Sequence, residues 1–590
     1  MCGICGQISF NTAKPKVIDI KKMLAKLANR GPDFSDTFFL DNIAFGHSRL
    51  AIIDLSTFAN QPMVDKELGL TIVFNGTIYN YKKLRQELIA KGYNFFSRSD
   101  TEIIIKAYHL WGEDCVQNLD GMFAFCIYHH KNKTLFLARD RMGIKPLYFT
   151  KNNNYFSFAS NTQALLALDN IDKTINKKAL QLQLSLHAVI PAPDTILSTI
   201  KKVKPATTLT INQKGEIIEK TYWQPQAKRL KNITDAEYIT TTYDLLIKAV
   251  TKRIDASDVP IGVLLSGGLD SSLIVALLAE ANHKDIRTFS IGFEDIKDET
   301  GSEFQYSDQV VDKFKTKHKK YIIANSKVLP HLTDAVSQMA EPMVAQDAVA
   351  FYLLAKEVSQ DVKVVLSGQG ADEAFGGYFW YPKMDKKQGL EIDKFSKHYI
   401  DRPYNEYLQT INKDFQAKNH TKKWLKKQFQ KPYADEFLDK VFLMDITRLI
   451  VDDPVKRVDN MTMAWGLEAR VPFMDTELIE WSLAIPPKLK LKENGKYPLK
   501  HIARKLLPKD VIDRKKGYFP MPALKYIQGE YLEFMVDILN SNACVNRGVF
   551  NRKFINKIIA HPDNYMTALQ GSRLWHLALL ELWLQINVDT

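Results

Sequence analysis

Near residue 230 the hydrophobic rhythm of this chain changes, and that change restricts its fold more than any other feature. Ahead of it, apolar and polar residues alternate over short runs at 43–53, 70–78 and 122–128. A period of two marks half-buried strands. The last run leads through a polar turn at 129–133 into a second strand at 134–138, and another pair, 208–211 and 217–222, flanks Lys214–Gly215. Both pairs read as hairpins. Helical spacing appears at 18–28, 81–91 and 101–111. Strands outnumber helices, so the first part is expected to be an antiparallel α+β domain. A polar stretch, 224–232, reads as a linker. Beyond it strand and helix alternate: strand 261–265, helix 270–281, strand 286–293, helix 307–314, strand 362–366. That order predicts a parallel α/β sheet with ligands at the carboxyl ends of its strands. From about residue 389 the pattern is mostly helical, and no internal repeat is present.

At 590 residues the chain exceeds one ordinary core, so two to four domains are expected. With 45% hydrophobic and 25% charged residues it has the composition of a soluble globular protein. Residues 1–16 lack the basic start and apolar stretch of a signal peptide. The longest apolar stretches, 273–281 and 574–586, fall short of the ~20 residues that span a bilayer. Five cysteines, at 2, 5, 115, 126 and 544, argue against a disulfide framework. A cytoplasmic location is the expectation. The net charge of +13 and pI near 9.1 invite a nucleic-acid reading. The densest basic run, Lys418, Lys422, Lys423, Lys426, Lys427 and Lys431, is interleaved with Phe415, Trp424, Leu425 and Phe429. That interleaving suits an amphipathic helix with a solvated face, and no nucleic-acid fold signature accompanies it.

Cys2 follows the initiator directly. Trimming Met1 would leave a thiol beside a free α-amine whose pKa lies near 7.7–8.0 in the usual range. The nucleophile then carries its own general base. Cys2 and Cys5 have no second ligand pair nearby, so Cys5 reads as a small buried strand residue and not as half of a zinc site.

The loop Ser266-Gly267-Gly268-Leu269-Asp270-Ser271-Ser272 lies between a predicted buried strand and a helix. Its glycines let the backbone approach a ligand, and its serines and helix-end amides offer donors to an anion. No Walker A pattern occurs. The loop resembles the SGGxDS signature of PP-loop ATP pyrophosphatases. Their chemistry needs Mg²⁺, usually held by one or two carboxylates and phosphate oxygens. Asp270 is one candidate, and Asp372, in Ser367-Gly368-Gln369-Gly370-Ala371-Asp372-Glu373, is the second.

Cys2 ahead of an SGGLDSS loop resembles the glutamine-dependent asparagine synthetase family, of the asparagine synthetase B-like type. Further motifs carry the resemblance over nearly the whole chain: Met1-Cys2-Gly3-Ile4-Cys5-Gly6, Arg30-Gly31-Pro32-Asp33, Ser48 to Asp54, Asn75-Gly76-Thr77-Ile78-Tyr79-Asn80, Arg139 to Gly143, Arg457 to Asp475 and Gly495 to Arg504. It implies an N-terminal Ntn-type αββα class II glutamine amidotransferase domain over 2–222. An α/β PP-loop synthetase domain with a helical C-terminal part would occupy 233–590.

Position by position, the resemblance implies that Cys2 attacks the glutamine amide while the Asn75 side chain and Gly76 N–H form the oxyanion hole. Arg49 would take the substrate carboxylate and Asp100 its α-ammonium, with Leu50, Ala51, Ile52, Ile53 and Thr77 completing the glutamine site. Leu265, Ser266, Gly267, Gly268, Asp270, Ser271, Ile291, Ser367 and Gly368 match nucleotide contacts. Asp270 and Asp372 match the metal ligands, and Lys500 a lysine near an acyl-adenylate. The implied reaction forms acyl-AMP and pyrophosphate, then an amide and AMP, with ammonia crossing between the sites by a dry passage. ATP is thus a substrate and Mg²⁺ the cofactor. The partners are small molecules, with neither nucleic acid nor membrane, and a homodimer is compatible.

Two positions depart from the family. Thr77 stands where an acidic residue is usual, and Gln369 where asparagine-forming members usually carry Glu. A glutamine takes up no proton near pH 7, which removes any acid–base role there. With the stretch His187 to Pro193, these departures resemble the N-acetylglutaminylglutamine amidotransferase branch. Aspartate stays the nominal acceptor and that dipeptide its rival. A PP-loop enzyme acting on tRNA would leave Cys2 unexplained. A non-catalytic relative would be expected to lose Cys2, Asn75, Asp270 or Asp372, and all four are present.

Overall fold

Ile4 and Ile8 on one side of the first strand, and Cys5 on the other, divide the N-terminal half into layers. The computed structural model describes residues 2–11, 14–169, 171–295, 300–344, 347–386, 388–514, 527–569 and 571–589, so Met1 lies outside it. One antiparallel sheet runs, in spatial order, β10 (Ile200–Lys202), β8 (Tyr148–Lys151), β9 (Tyr155–Ala159), β1 (Cys2–Ser9), β3 (Ile43–Arg49) and β2 (Phe34–Leu40). A second runs β12 (Ile217–Thr221), β11 (Thr207–Ile211), β7 (Thr134–Arg139), β6 (Gly121–His129), β5 (Leu70–Ile78) and β4 (Met63–Asp65).

Alternation in these strands sends Ile4, Ile8, Phe45 and Phe158 inward against Val73, Ala124, Cys126 and Leu137 of the facing sheet. Outside the first sheet, the helix Val17–Ala25 buries Ile20, Met23 and Leu24 in the core that also holds Cys5 and Ala44. Outside the second, Leu84 and Leu88 of Tyr81–Ala90 and Ile103 to Ile105 of Asp100–Trp111 cover Phe74, Phe125 and Phe136. The result is the αββα layering expected of an Ntn-type amidotransferase. The strand read at 43–53 ends at Arg49, because the chain turns away there and Leu50, Ile52 and Ile53 line a pocket.

The second half carries five parallel strands in the order β15 (Lys317–Ile323), β14 (Arg287–Phe293), β13 (Ile261–Leu264), β16 (Val364–Leu366), β17 (Glu468–Arg470). From β13 the chain adds strands to one side, then returns to add β16 and β17 on the other. Strand order therefore reverses between β13 and β16, where α/β sheets open a crevice for ligands. Both glycine-rich loops emerge there. Neither β15 nor β17 was predicted: β15 begins Lys317-His318-Lys319-Lys320 on an edge, where lysines discourage further pairing, and β17 is three residues long.

The basic run forms the helix His420–Phe429, with Thr421, Leu425 and Phe429 buried and Lys422, Lys423, Lys426 and Lys427 exposed. The apolar stretch near the end is the helix Arg573–Asn587, buried along most of its length. Among the described residues no helix is long and apolar enough to cross a membrane. The stretch read as a linker lies against the second half: Ala227 N donates to Tyr433 O at 2.8 Å, and Arg229 Nη1 to Leu483 O at 3.2 Å.

Candidate active site

Antiparallel pairing sets Cys2 opposite Arg49, so the start of the chain lies beside the loop that follows β3. From the facing sheet, Asn75 on β5 approaches the same point. The Cys2 backbone nitrogen donates to Asn75 Oδ1 at 3.1 Å. Asn75 is fully buried, and its Nδ2 has no hydrogen-bond partner among the described residues. A buried amide group left without an acceptor costs about 1–3 kcal/mol, so one is expected when the site is filled. Gly76 follows because a Cβ there would lie 2.2 Å from Met122 O.

The pocket beside the thiol encloses about 350 Å³ and is lined by residues including Arg49, Leu50, Ile52, Ile53, Thr77 and Asp100. Arg49 Nη1 donates to Ser56 O at 2.9 Å and Asn60 Oδ1 at 2.7 Å, and Nη2 to Asp54 O. These acceptors orient the guanidinium without neutralising it. Asp100 Oδ2 accepts from Ile78 N at 3.0 Å, and burial raises its carboxyl to about 6. Burial also raises the Cys2 thiol, against a backbone hydrogen bond from Leu50 and the Arg49 charge. Ala51, half-buried, is not among the lining residues; its N–H donates to Asp33 Oδ2 at 2.7 Å.

Thr77 is bound from the other half of the molecule. Its hydroxyl donates to Glu468 Oε1 at 3.1 Å, which also accepts from Arg470 Nε at 2.5 Å. Glu468 is fully buried, yet the Arg470 guanidinium overcomes the burial penalty and holds its carboxyl at about 2. A second contact across the halves joins Arg30 Nη1 to Asp459 Oδ2 at 2.9 Å while Arg30 Nε donates to Cys2 O at 3.2 Å. Between the halves lies a small pocket lined by residues including Arg139, Ile144, Tyr148, Asp452, Lys456 and Asp459. Its second wall belongs to a long helix that loosens into wide π-type turns over 445–455, a deviation frequent at functional positions. The pocket lining mixes the charged Arg139, Asp452, Lys456 and Asp459 with Ile144, Pro146 and Val451.

At the switch point, Gly268 caps the helix Leu269–Glu280 without a side-chain cap of its own. Ser266 Oγ and Ser271 Oγ lie 3.1 Å apart, and Gly268 N donates to Ser266 Oγ at 3.3 Å. Gly267 has φ +71°, and a Cβ there would lie 2.7 Å from Ser307 N. The second loop closes on the first: a Cβ on Gly368 would sit 3.0 Å from Asp270 Cβ, and Ser367 N donates to Arg470 O at 2.9 Å. Leu265, the residue after β13, and Ile291 on β14, both buried, flank the first loop.

Asp270 and Asp372 converge. Lys496 Nζ lies 2.6 Å from Asp270 Oδ2 and 2.7 Å from Asp372 Oδ1. The buried ammonium marks a point where both carboxylates reach one cation, so this donor set fits a hard divalent ion. Burial alone would lower the Lys496 pKa, but the two carboxylates raise it. Lys500, one turn on, donates to Glu493 O at 2.5 Å, and partial burial lowers its pKa. Gln369 is half-buried between the loop glycines.

Sequence reasoning missed Lys496, Glu468 and Gln61. Lys496 and Glu468 stand inside motifs already quoted for other residues. Gln61 lines the pocket beside the thiol, where Oε1 accepts from Phe74 N at 2.6 Å and Nε2 donates to Thr101 Oγ1 at 3.1 Å. No local pattern singles it out.

The asparagine synthase family profile matches residues 241–585, and a glutamine amidotransferase domain profile matches residues 1–223. Glutamine-hydrolyzing asparagine synthetase 1 of Bacillus subtilis is 32% identical over 633 aligned residues, covering 100% of this chain and 97% of the relative. Asparagine synthetase 3 of the same organism, also glutamine-hydrolyzing, is 31% identical and covers 100% of each. The chain belongs to the asparagine synthase family, with a glutamine amidotransferase domain ahead of its synthase domain.

Proposed function

We propose that this ATP-dependent ligase hydrolyses glutamine at Cys2 and uses the released ammonia to amidate a carboxylate activated as its adenylate, with L-aspartate the acceptor and L-asparagine the product. The observation that carries the glutaminase half is the buried Asn75 Nδ2 beside the thiol, which has no hydrogen-bond partner among the described residues. Once Met1 is removed, the Cys2 amine takes the thiol proton and the sulfur attacks the glutamine side-chain carbonyl. Asn75 Nδ2 and Gly76 N–H receive the oxyanion, each such donor worth about 2.7–4 kcal/mol. Arg49 holds the α-carboxylate and Asp100 the α-ammonium. Ammonia leaves, and water hydrolyses the thioester to glutamate.

At the switch point, Ser266, Gly267, Gly268 and Ser271 cradle pyrophosphate, Ser367 and Gly368 close over it, and Leu265 and Ile291 wall the adenine side. Asp270 and Asp372 would hold Mg²⁺, which supplies charge neutralisation to the polyphosphate. Lys496 would add positive charge beside the phosphates, and Lys500 would stabilise charge on the acyl-adenylate. The domain boundaries follow the two functions, 2–222 for glutaminase and 233–590 for the ligase.

Gln369 favours a second acceptor, a dipeptide such as N-acetylglutaminylglutamine, because no carboxylate stands there to serve aspartate chemistry. Pyrophosphate release with Mg-ATP and ammonia, fed either aspartate or the dipeptide, tests the choice. Release with aspartate supports asparagine synthesis, and release only with the dipeptide overturns it.

A further inference from the structure

We propose that His187, Asp401 and His576 form a binding site for one divalent transition-metal ion of the zinc type, which clasps the first half of the molecule to its last helix. None of the three lines the glutamine pocket or the nucleotide loops. They come from separate places: the turn after the helix Lys177–Ser185, the loop after Glu391–Tyr399, and the helix Arg573–Asn587.

His187 Nδ1 lies 2.7 Å from Asp401 Oδ2, and His576 Nδ1 lies 3.6 Å from the same oxygen. One donor atom from each residue falls within 4.8 Å of the other two. Metal–ligand bonds of about 2.0–2.2 Å in a tetrahedron set donor separations of about 3.3–3.6 Å. The His576–Asp401 distance matches that span, and the His187–Asp401 pair, now at hydrogen-bond distance, would have to open to reach it. Two imidazoles and a carboxylate are the donor types that zinc takes, with a fourth position left for water.

The surroundings suit a cation. Side-chain exposure is 2% for Asp401, 8% for His576 and 17% for His187, so His187 is the solvent-side ligand. Next to it Arg457 pairs with Asp347 and Asp453, and beside His576 the guanidiniums of Arg402 and Arg573 share Glu406. With both imidazoles neutral, four carboxylates face three guanidiniums and one negative charge remains. Burial lowers the His576 pKa, and the Asp401 charge raises that of His187 against its own burial. The turn presenting His187 holds two consecutive non-glycine residues at positive φ, His187 at 53° and Ala188 at 61°. Such strain persists where surrounding contacts over-determine it.

The test uses the full-length chain carrying Cys2→Ala, which removes the reactive thiol as a competing ligand. After chelator treatment, Co²⁺ is titrated in the absence of ATP and Mg²⁺. One equivalent per chain should bind with visible d–d bands, be displaced by Zn²⁺, and raise Tm. His187→Ala should weaken binding by more than about 100-fold, beyond the 10–100-fold typical of outer-shell partners. His576→Gln, a near-isostere, should do the same if His187→Ala proves unstable. Ammonia-fed pyrophosphate release should be kept in both variants. Absence of a stoichiometric Co²⁺ spectrum in the folded protein would leave a hydrogen-bonded His187–Asp401 ion pair and overturn the metal. A spectrum unchanged in both histidine variants would overturn the site.

Discussion

Asn75 offers the sharpest perturbation of the glutaminase, because its two side-chain atoms have separate tasks. Oδ1 accepts from the Cys2 nitrogen at 3.1 Å, and Nδ2 is buried without a hydrogen-bond partner among the described residues. Asn75→Ala removes both, whereas Asn75→Asp keeps the acceptor and replaces only the donor. If Nδ2 stabilises the oxyanion, each variant loses about 2.7–4 kcal/mol of transition-state stabilisation, or about 10²–10³ in kcat. The alanine variant should also lose roughly 1–3 kcal/mol of stability through the Cys2 nitrogen left without its acceptor. Glutamate release measures the first effect, and chemical denaturation the second. KM for glutamine should hold, since Arg49 and Asp100 are untouched, and pyrophosphate release fed by free ammonia should be unchanged. A kcat loss below about ten-fold, equivalent to about 1.4 kcal/mol, would refute the oxyanion assignment. An equal fall in ammonia-fed synthesis would show that Asn75 acts through the fold instead.

Cys2→Ala should abolish glutamine-supported synthesis and spare the ammonia-fed reaction, and residual glutamine-supported turnover would count against the nucleophile. Asp270→Asn or Asp372→Asn should suppress synthesis from both nitrogen sources, since each removes a charge facing Lys496 and the divalent ion; the wild-type products should be AMP and pyrophosphate, and ADP with phosphate would exclude the adenylate route. Asp100, raised by burial to about 6, becomes protonated as pH falls through that value, so kcat/KM for glutamine should drop below pH 6 while ammonia-fed synthesis keeps its profile. Gln369→Glu should raise turnover with aspartate if the missing carboxylate separates the two acceptors, and no change would remove Gln369 from that choice.

Legibility in the sequence followed the range of the interactions. Asn75 and Gly76 were read only through the family resemblance, whereas Cys2 and the Ser266–Ser272 loop were readable because their chemistry depends on neighbours a few residues away, a chain end and a loop ahead of a helix. Both hairpins and the alternating second half were readable for the same reason. Lys496 was not, since its place between Asp270 and Asp372 depends on two close backbone approaches: a Cβ on Gly377 would lie 2.1 Å from Asp372 Oδ1, and one on Gly495 would lie 2.2 Å from Gly376 O. Only the folded chain shows that these glycines meet. Gln61 and β15 escaped for lesser reasons, one a single polar residue in a loop, the other an edge strand dressed in lysines.

Thr77 shows how a departure in sequence is answered in space. Read alone, it removes the acidic residue that usually follows Asn-Gly in this family. In the fold its hydroxyl donates to Glu468, and that carboxylate stays ionised because Arg470 holds it. The charge reaches the glutamine pocket, where it contributes to raising both Asp100 and the Cys2 thiol. Negative potential at this wall therefore comes from β17 and not from β5. The same short strand also touches the other site, through the Arg470 carbonyl that accepts from Ser367 at the head of the second nucleotide loop. Three residues thus connect the wall of the glutamine pocket to the nucleotide crevice, and a displacement of β17 would be felt at both. Coupling between two sites needs a shared element with contacts to each. β17 has such contacts, Glu468 and Arg470 with Thr77 on one side and the Arg470 carbonyl with Ser367 on the other.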